Sequence, residues 1–116
     1  IQIALLNLLD NAIKFSPAHG IVLISAVADR DWVVYAVKDQ GAGIAPKERA
    51  KIFEWFYRSG DERTREKPGT GLGLALVREV ALRHGGKVTL HSEVGVGSQF
   101  EIHIPRRKRE AQHANP

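Results

Sequence analysis

Gly69-Thr70-Gly71-Leu72-Gly73-Leu74 runs without a break into Ala75-Leu76-Val77-Arg78-Glu79-Val80. Glycines at alternate positions let a backbone turn tightly and approach a ligand with no side chain in the way. The apolar residues that follow recur at helical spacing, which puts the glycines at a helix N-terminus. There, free N–H groups and the helix dipole favour an anion. The first turn has none of the Asp or Glu usual at that position, so a bound phosphate could take their place. The spacing is neither GxGxxG nor GxxxxGK[ST], and Gly-rich turns before helices also occur as plain structure. Its weight comes from the rest of the chain.

Immediately upstream, Arg58 to Lys67 is polar and charged with no periodicity, which reads as a mobile loop. A flexible basic loop beside a phosphate site suggests a lid. Before it, Phe53, Trp55, Phe56 and Tyr57 crowd the end of a short helix predicted from Pro46 to Trp55, with Pro46 a good first helical residue. An aromatic cluster of this kind is more often core than ligand box.

Further upstream, Ile21 to Ala28 and Trp32 to Lys38 read as strands joined by the polar turn Asp29-Arg30-Asp31. Val33, Tyr35 and Val37 share a face, and Asp39 follows in the same phase. An acid in phase with an apolar face needs a partner. Gly41-Ala42-Gly43-Ile44 follows, so backbone can again approach a ligand closely. The plainer alternative is a turn Asp capping its own backbone.

Residues 1–15 carry apolar spacing at Ile1, Leu5, Leu8, Leu9, Ala12 and Ile13, and Ser16-Pro17 ends the helix. Asn7, Asn11 and Lys14 line one face, with Asp10 close by. A solvated face is the bland reading, yet mid-helix Asn and Asp compete for backbone hydrogen bonds. A polar stripe that lowers helix propensity on an otherwise apolar helix suggests ligands.

Downstream, the helix from about Leu72 to His84 stops at Gly85-Gly86. Val88 to Ser92 and Ser98 to Ile104 then form a hairpin with one buried and one wet face. His91 and His103 fall on the wet face and read as solvated residues rather than metal ligands. Residues 106–116 read as a basic, disordered tail.

At 116 residues, 43% hydrophobic and 26% charged, the chain fits one globular domain. It has no cysteine, which excludes disulfides and thiolate metal sites. The net charge of +4 is modest and largely carried by Arg106 to Arg109, so no nucleic-acid footprint is read from it. No apolar run reaches the length of a membrane span, and no signal peptide is visible. With no Met, and with Ile1 already inside a helical pattern, the chain reads as a piece of a longer protein, truncated at its N-terminus.

This order of motifs resembles the catalytic and ATP-binding domain of sensor histidine kinases, within the wider family that includes gyrase and Hsp90. The stretch from Asn7 to Ser16 looks like the N box and Asp39 to Ile44 like the G1 box. Ile52 to Arg58 is similar to the F box, Gly69 to Leu74 to the G2 box, and Gly97-Ser98-Gln99-Phe100 to the closing strand. The resemblance runs from residue 1 to about 105. It implies a Bergerat-type α/β two-layer sandwich, with a mixed, mostly antiparallel sheet, helices on one face, and ATP between the helices under a lid.

The resemblance also implies roles. Asn11 would hold Mg²⁺, an oxygen-seeking ion that keeps waters and substrate phosphates in its shell. Asn7 would support the same triphosphate region, Lys14 would meet phosphate as a point charge, and Arg58 would neutralise the γ-phosphate. Those three form the implied catalytic set. Phe15 would pack on the nucleoside, and Asp39 would accept a hydrogen bond from the adenine amino group. Gly41, Gly43, Ile44 and Phe53 complete the implied nucleotide site, together with Thr70, Gly71, Leu72, Gly73 and Leu74. Guanine would leave the Asp39 carboxylate unpaired, so adenine should be strongly preferred.

Asn7 bears on the reaction. The ATPases that this family resembles carry Glu there, as general base for the attacking water, and an amide cannot take a proton in that way. A neutral imidazole needs no such base. The implied function is therefore donation of the γ-phosphate to a histidine on a separate dimerisation domain, and onward to a response regulator, in the cytoplasm beneath a membrane-anchored sensor. A gyrase-type ATPase, a serine-directed anti-sigma kinase and a docking module without turnover are the alternatives.

Two departures stand out. Trp55 stands where Pro or another residue is more frequent, and no segment resembles the phosphoacceptor motif. His19, His84, His91, His103 and His113 all sit in other contexts. The chain is expected to bind nucleotide and not to phosphorylate itself.

Overall fold

A computed structural model describes residues 1–54 and 73–106. Helix α1 spans Gln2–Phe15 and buries Ala4, Leu8 and Ala12, a stripe at four-residue spacing. It ends at Ser16, held extended (φ −83°, ψ 151°), as expected of a residue preceding proline. Strands β1 (Leu23–Ala28) and β2 (Trp32–Asp39) form the first hairpin. Its turn is fixed by Asp29 Oδ1, which accepts the N–H of Asp31 at 2.8 Å and of Trp32 at 2.7 Å. Those two backbone bonds hold the Asp29 carboxyl below its ordinary pKa, and the Arg106 charge adds to them.

Between Pro46 and Phe53 the chain makes two 3₁₀ turns, Pro46–Glu48 and Lys51–Phe53, and not the single helix expected from Pro46 to Trp55. Pro46 does start helical backbone, but each stretch ends after one turn, when the N–H of Arg49 bonds to Pro46 O and that of Glu54 to Lys51 O. Trp55 lies outside the described residues.

Helix α2 (Gly73–Arg83) buries Ala75, Val77 and Ala81. It closes with Gly86 N–H on Ala81 O at 2.8 Å and Gly85 N–H on Leu82 O at 2.9 Å, with Gly85 at φ 79°. Strands β3 (Lys87–Glu93) and β4 (Gly97–Pro105) form the second hairpin.

The sheet order is β1-β2-β4-β3, and every pairing among the described residues is antiparallel. The parallel pair that a mixed sheet requires is absent from these residues. Register puts Val37 opposite Phe100 and Tyr35 opposite Ile102, with Leu90 and Val88 on the far side of the same two residues. That face carries both helices: Ala4, Leu8 and Ala12 of α1 and Val77 and Ala81 of α2 share one core with Val37, Phe100 and Ile102. The result is a two-layer α/β sandwich with its helices on one face. All six residues of β1 are exposed.

The opposite face is wetter, though His103 is not simply solvated. Its Nε2 lies 3.0 Å from Thr89 Oγ1 and 3.2 Å from Glu101 Oε1, with only 22% of its side chain exposed. His91, 68% exposed, reaches the same carboxylate at 3.5 Å.

Candidate functional site

Asn7, Asn11 and Lys14 lie along one flank of α1, half-buried beside the Ala4-Leu8-Ala12 stripe. Asn7 Nδ2 donates to Ile3 O one turn back at 2.9 Å. Its Oδ1 is thereby turned toward α2, where a Cβ on Gly73 would sit 3.2 Å from it. The start of α2 thus meets the Asn stripe without an intervening side chain. Lys14 Nζ pairs with Asp10 Oδ2 at 3.0 Å, an exposed i,i+4 pair.

Asp39 ends β2 on the face that carries the core. It and Ser98, its partner across the β2–β4 pair, are the buried polar side chains among the described residues, 7% and 6% exposed. Asp39 Oδ1 accepts the Gly41 N–H at 2.8 Å. The capping alternative is therefore realised, and a single backbone bond uses only part of the carboxylate's accepting capacity. Gly41 is tight on both sides: a Cβ there would lie 2.6 Å from Phe15 O and 3.1 Å from Asp39 Oδ1. This contact brings the end of α1 against the loop that follows Asp39. Gly43 takes φ 81° and packs flat on Glu93, and Ile44 N–H donates to Ser92 Oγ at 2.8 Å.

The structure thus brings Asn7 against Gly73 at the α1–α2 junction and Phe15 against Gly41 beside Asp39 at the far end of α1, whereas Gly43 and Ile44 meet strand β3. Phe53, expected at the nucleotide, is in the core. It is 9% exposed and packs edge-on against Phe100, ring centroids 6.0 Å apart at 79°. Arg58, Thr70, Gly71 and Leu72 lie outside the described residues, as does the expected lid. An open depression at the end of β2 is lined by Asp39, Ser92 and Ser98 together with Lys38, His91 and Gln99, and no residue of α1 lines it.

Sequence reasoning passed over Arg49, Ser92 and Ser98. The signal was present for the two serines. Ser98 is in phase with Phe100 and Ile102, and Ser92 with Leu90 and Val88, so both face the core side beside Asp39. The three side chains form a polar row across β2, β4 and β3 where the apolar face ends.

Comparison with known proteins gives concordant matches. A family model described as histidine kinase-, DNA gyrase B-, and HSP90-like ATPase matches residues 1–108. A sensor histidine kinase of Synechocystis, RppB, is 41% identical over 99 residues, or 85% of this chain. The chain spans 22% of that relative's length. The solved structure of a mycobacterial sensor histidine kinase, MprB, superposes with a TM-score of 0.80 at 40% identity, covering 90% of this chain and 71% of that one. Full-length ShkA, solved in complex with AMPPNP, gives 0.76 at 38% identity, covering 89% of this chain and 20% of that one. No described helix is long and apolar enough to cross a membrane. The chain belongs to the histidine kinase-, DNA gyrase B- and HSP90-like ATPases, a family that implies ATP binding.

Proposed function

We propose that this chain binds ATP with Mg²⁺ and donates the γ-phosphate to a histidine on a separate dimerisation domain of a sensor kinase, from which a response regulator is phosphorylated. Residues 1–105 are the catalytic and ATP-binding domain of that larger protein and 106–116 a basic tail, on the cytoplasmic side of a membrane-anchored sensor. The observation that carries the reading is the approach of Asn7 Oδ1 to the bare Cα of Gly73. Side-chain oxygen and helix N-terminus meet with no Cβ between them, which leaves room for phosphate oxygens under the α2 dipole. ShkA, a relative in structure, was solved with AMPPNP, an ATP analogue.

In this reading Asp39 accepts a hydrogen bond from the adenine amino group and Phe15 packs on the nucleoside. Gly41, Gly43 and Ile44 let backbone approach the base. Asn11 offers an amide oxygen to Mg²⁺, which supplies charge neutralisation at the phosphates when bound. Asn7 supports the triphosphate. Lys14 leaves its exposed pair with Asp10 to meet phosphate, an exchange that costs little because exposed pairs are weak. Arg58 and the backbone from Thr70 to Leu74 complete the phosphate contacts. Asn7 is an amide and cannot deprotonate water, so the acceptor must arrive as a nucleophile already, as a neutral imidazole does.

Calorimetric titration of the chain with ADP and GDP, with and without Mg²⁺, beside Asp39→Asn, tests the site. Binding of ADP that Mg²⁺ strengthens, that GDP does not reproduce and that Asp39→Asn abolishes is the expected result. A folded chain that ignores ADP would overturn the proposal in favour of a docking module. Incubation with ATP and a histidine-bearing dimerisation domain then tests the transfer. Release of free phosphate without labelling of that domain would point to a hydrolase.

A further inference from the structure

The loop from Asp39 to Ile44 carries few apolar anchors, since Gln40 and Ala42 are exposed and Gly41 and Gly43 have no side chains. Hydrogen bonds hold it instead. Gly95 N–H donates to Ala42 O at 2.7 Å, and Ile44 N–H donates to Ser92 Oγ at 2.8 Å. Arg49, half-buried just beyond the loop, completes the attachment. Its Nε donates to Ile44 O at 3.3 Å and its Nη2 donates to Ser92 O. One guanidinium therefore ties the end of the loop to strand β3. Both backbone groups of Ile44 end on that strand, the N–H directly and the carbonyl through Arg49. Ser92 Oγ also donates to Gly97 O at 3.1 Å and lies 2.8 Å from Ser98 Oγ, next to Asp39 in the polar row.

We propose that Arg49 is a positioning residue for adenine recognition: by clamping Ile44 to Ser92 it fixes the loop that aims the Asp39 carboxylate. This rests on the nucleotide-binding reading above. The planar fork of Arg spans two carbonyls at once, whereas a Lys ammonium is a point charge on a flexible stem. A loop hinged on two glycines and released at one end drifts, and small misplacements of a recognition group are costly. Ser92 serves the same clamp from the strand side.

The test compares Arg49→Lys, Arg49→Ala and Ser92→Ala with the parent chain by two measurements. Amide exchange in the free chain should show the Ile44 N–H exchanging about tenfold faster in each variant while amides in the middle of β2 and β4 hold their rates. Competition binding should show ADP affinity falling about tenfold in Arg49→Ala, and less in Arg49→Lys, with the preference for ADP over IDP narrowing. IDP carries a carbonyl in place of the amino group, so this preference reads the aim of Asp39, and a merely structural role would not move it. Should Arg49→Ala fail to fold by circular dichroism, Arg49→Lys decides. ADP affinity within about twofold of the parent, or equal loss for ADP and IDP, overturns the inference. A parent chain that does not bind ADP overturns the nucleotide reading and this inference with it; a parent that binds while Arg49→Lys binds equally well overturns only the clamp.

Discussion

Gly43 and Gly95 make a natural control pair. Both adopt positive φ, 81° and 85°, but a Cβ on Gly43 would lie 2.3 Å from Glu93 O, whereas one on Gly95 meets nothing within 4 Å. Gly95→Ala should therefore cost only the conformational term, about 1 kcal/mol. Gly43→Ala adds a backbone collision and should cost about 3 kcal/mol, visible as a clearly lower thermal midpoint. Equal midpoints for the two variants would show that the loop moves freely off β3. At this scale Asp39 was legible because one acid continued an apolar phase. Ser92 and Ser98 obey the same alternation, but a serine in phase with a core face is too ordinary to stand out until β3 and β4 are seen flanking Asp39. Arg49 was not legible at all. Its two acceptors lie five and forty-three residues away, and no local pattern encodes the second.

Among the elements, α1 gives the sharpest contrast. Leu8 is 1% exposed under the sheet and Leu6 is 56% exposed on the other flank of the same helix. Leu8→Ala should destabilise by about 2–5 kcal/mol and Leu6→Ala by well under 1 kcal/mol, read as urea midpoints at unchanged slope. The two hairpins and both long helices were legible because period-2 and period-3.6 patterns are strong there and Gly85-Gly86, Ser16-Pro17 and the Asp29 turn mark their ends. The segment after Pro46 was not. Its aromatic and aliphatic residues suit either one helix or two turns, and what fixes the choice is the seat of Phe53 against Phe100, a contact from the opposite end of the chain. The same contact explains why Phe53 serves the core.

For the molecule as a whole, pH dependence is set in part by the far face of the sheet. Burial raises the Glu101 pKa, but hydrogen bonds from Gln99 and Thr89 and the proximity of His91 and His103 outweigh it, leaving the carboxyl below its ordinary value. A depressed acid stabilises the fold at pH above the ordinary Glu range, and that contribution is lost as pH falls through the lowered value. Asp29 acts in the same sense at the exposed hairpin turn. Glu101→Gln should thus lower the thermal midpoint near neutrality, where the ionised carboxylate contributes, and flatten its decline between about pH 5 and pH 3. An unchanged acid limb would mean that the cluster around Glu101 is solvated in solution.

The strand order has a consequence for how the chain is made. β2, at the centre of the sheet, pairs on one side with its hairpin partner β1 and on the other with β4, whose residues come some sixty positions later (Val37 opposite Phe100). A ribosome delivers the first hairpin and α1 long before the strand that seals them, so the nascent chain must wait with one lip of β2 bare. The polar row is assembled from β2, β3 and β4, so it cannot be completed until β4 has been synthesised. Arrested chains ending before β4 should stay open to protease, and those with Pro105 clear of the exit tunnel should resist it.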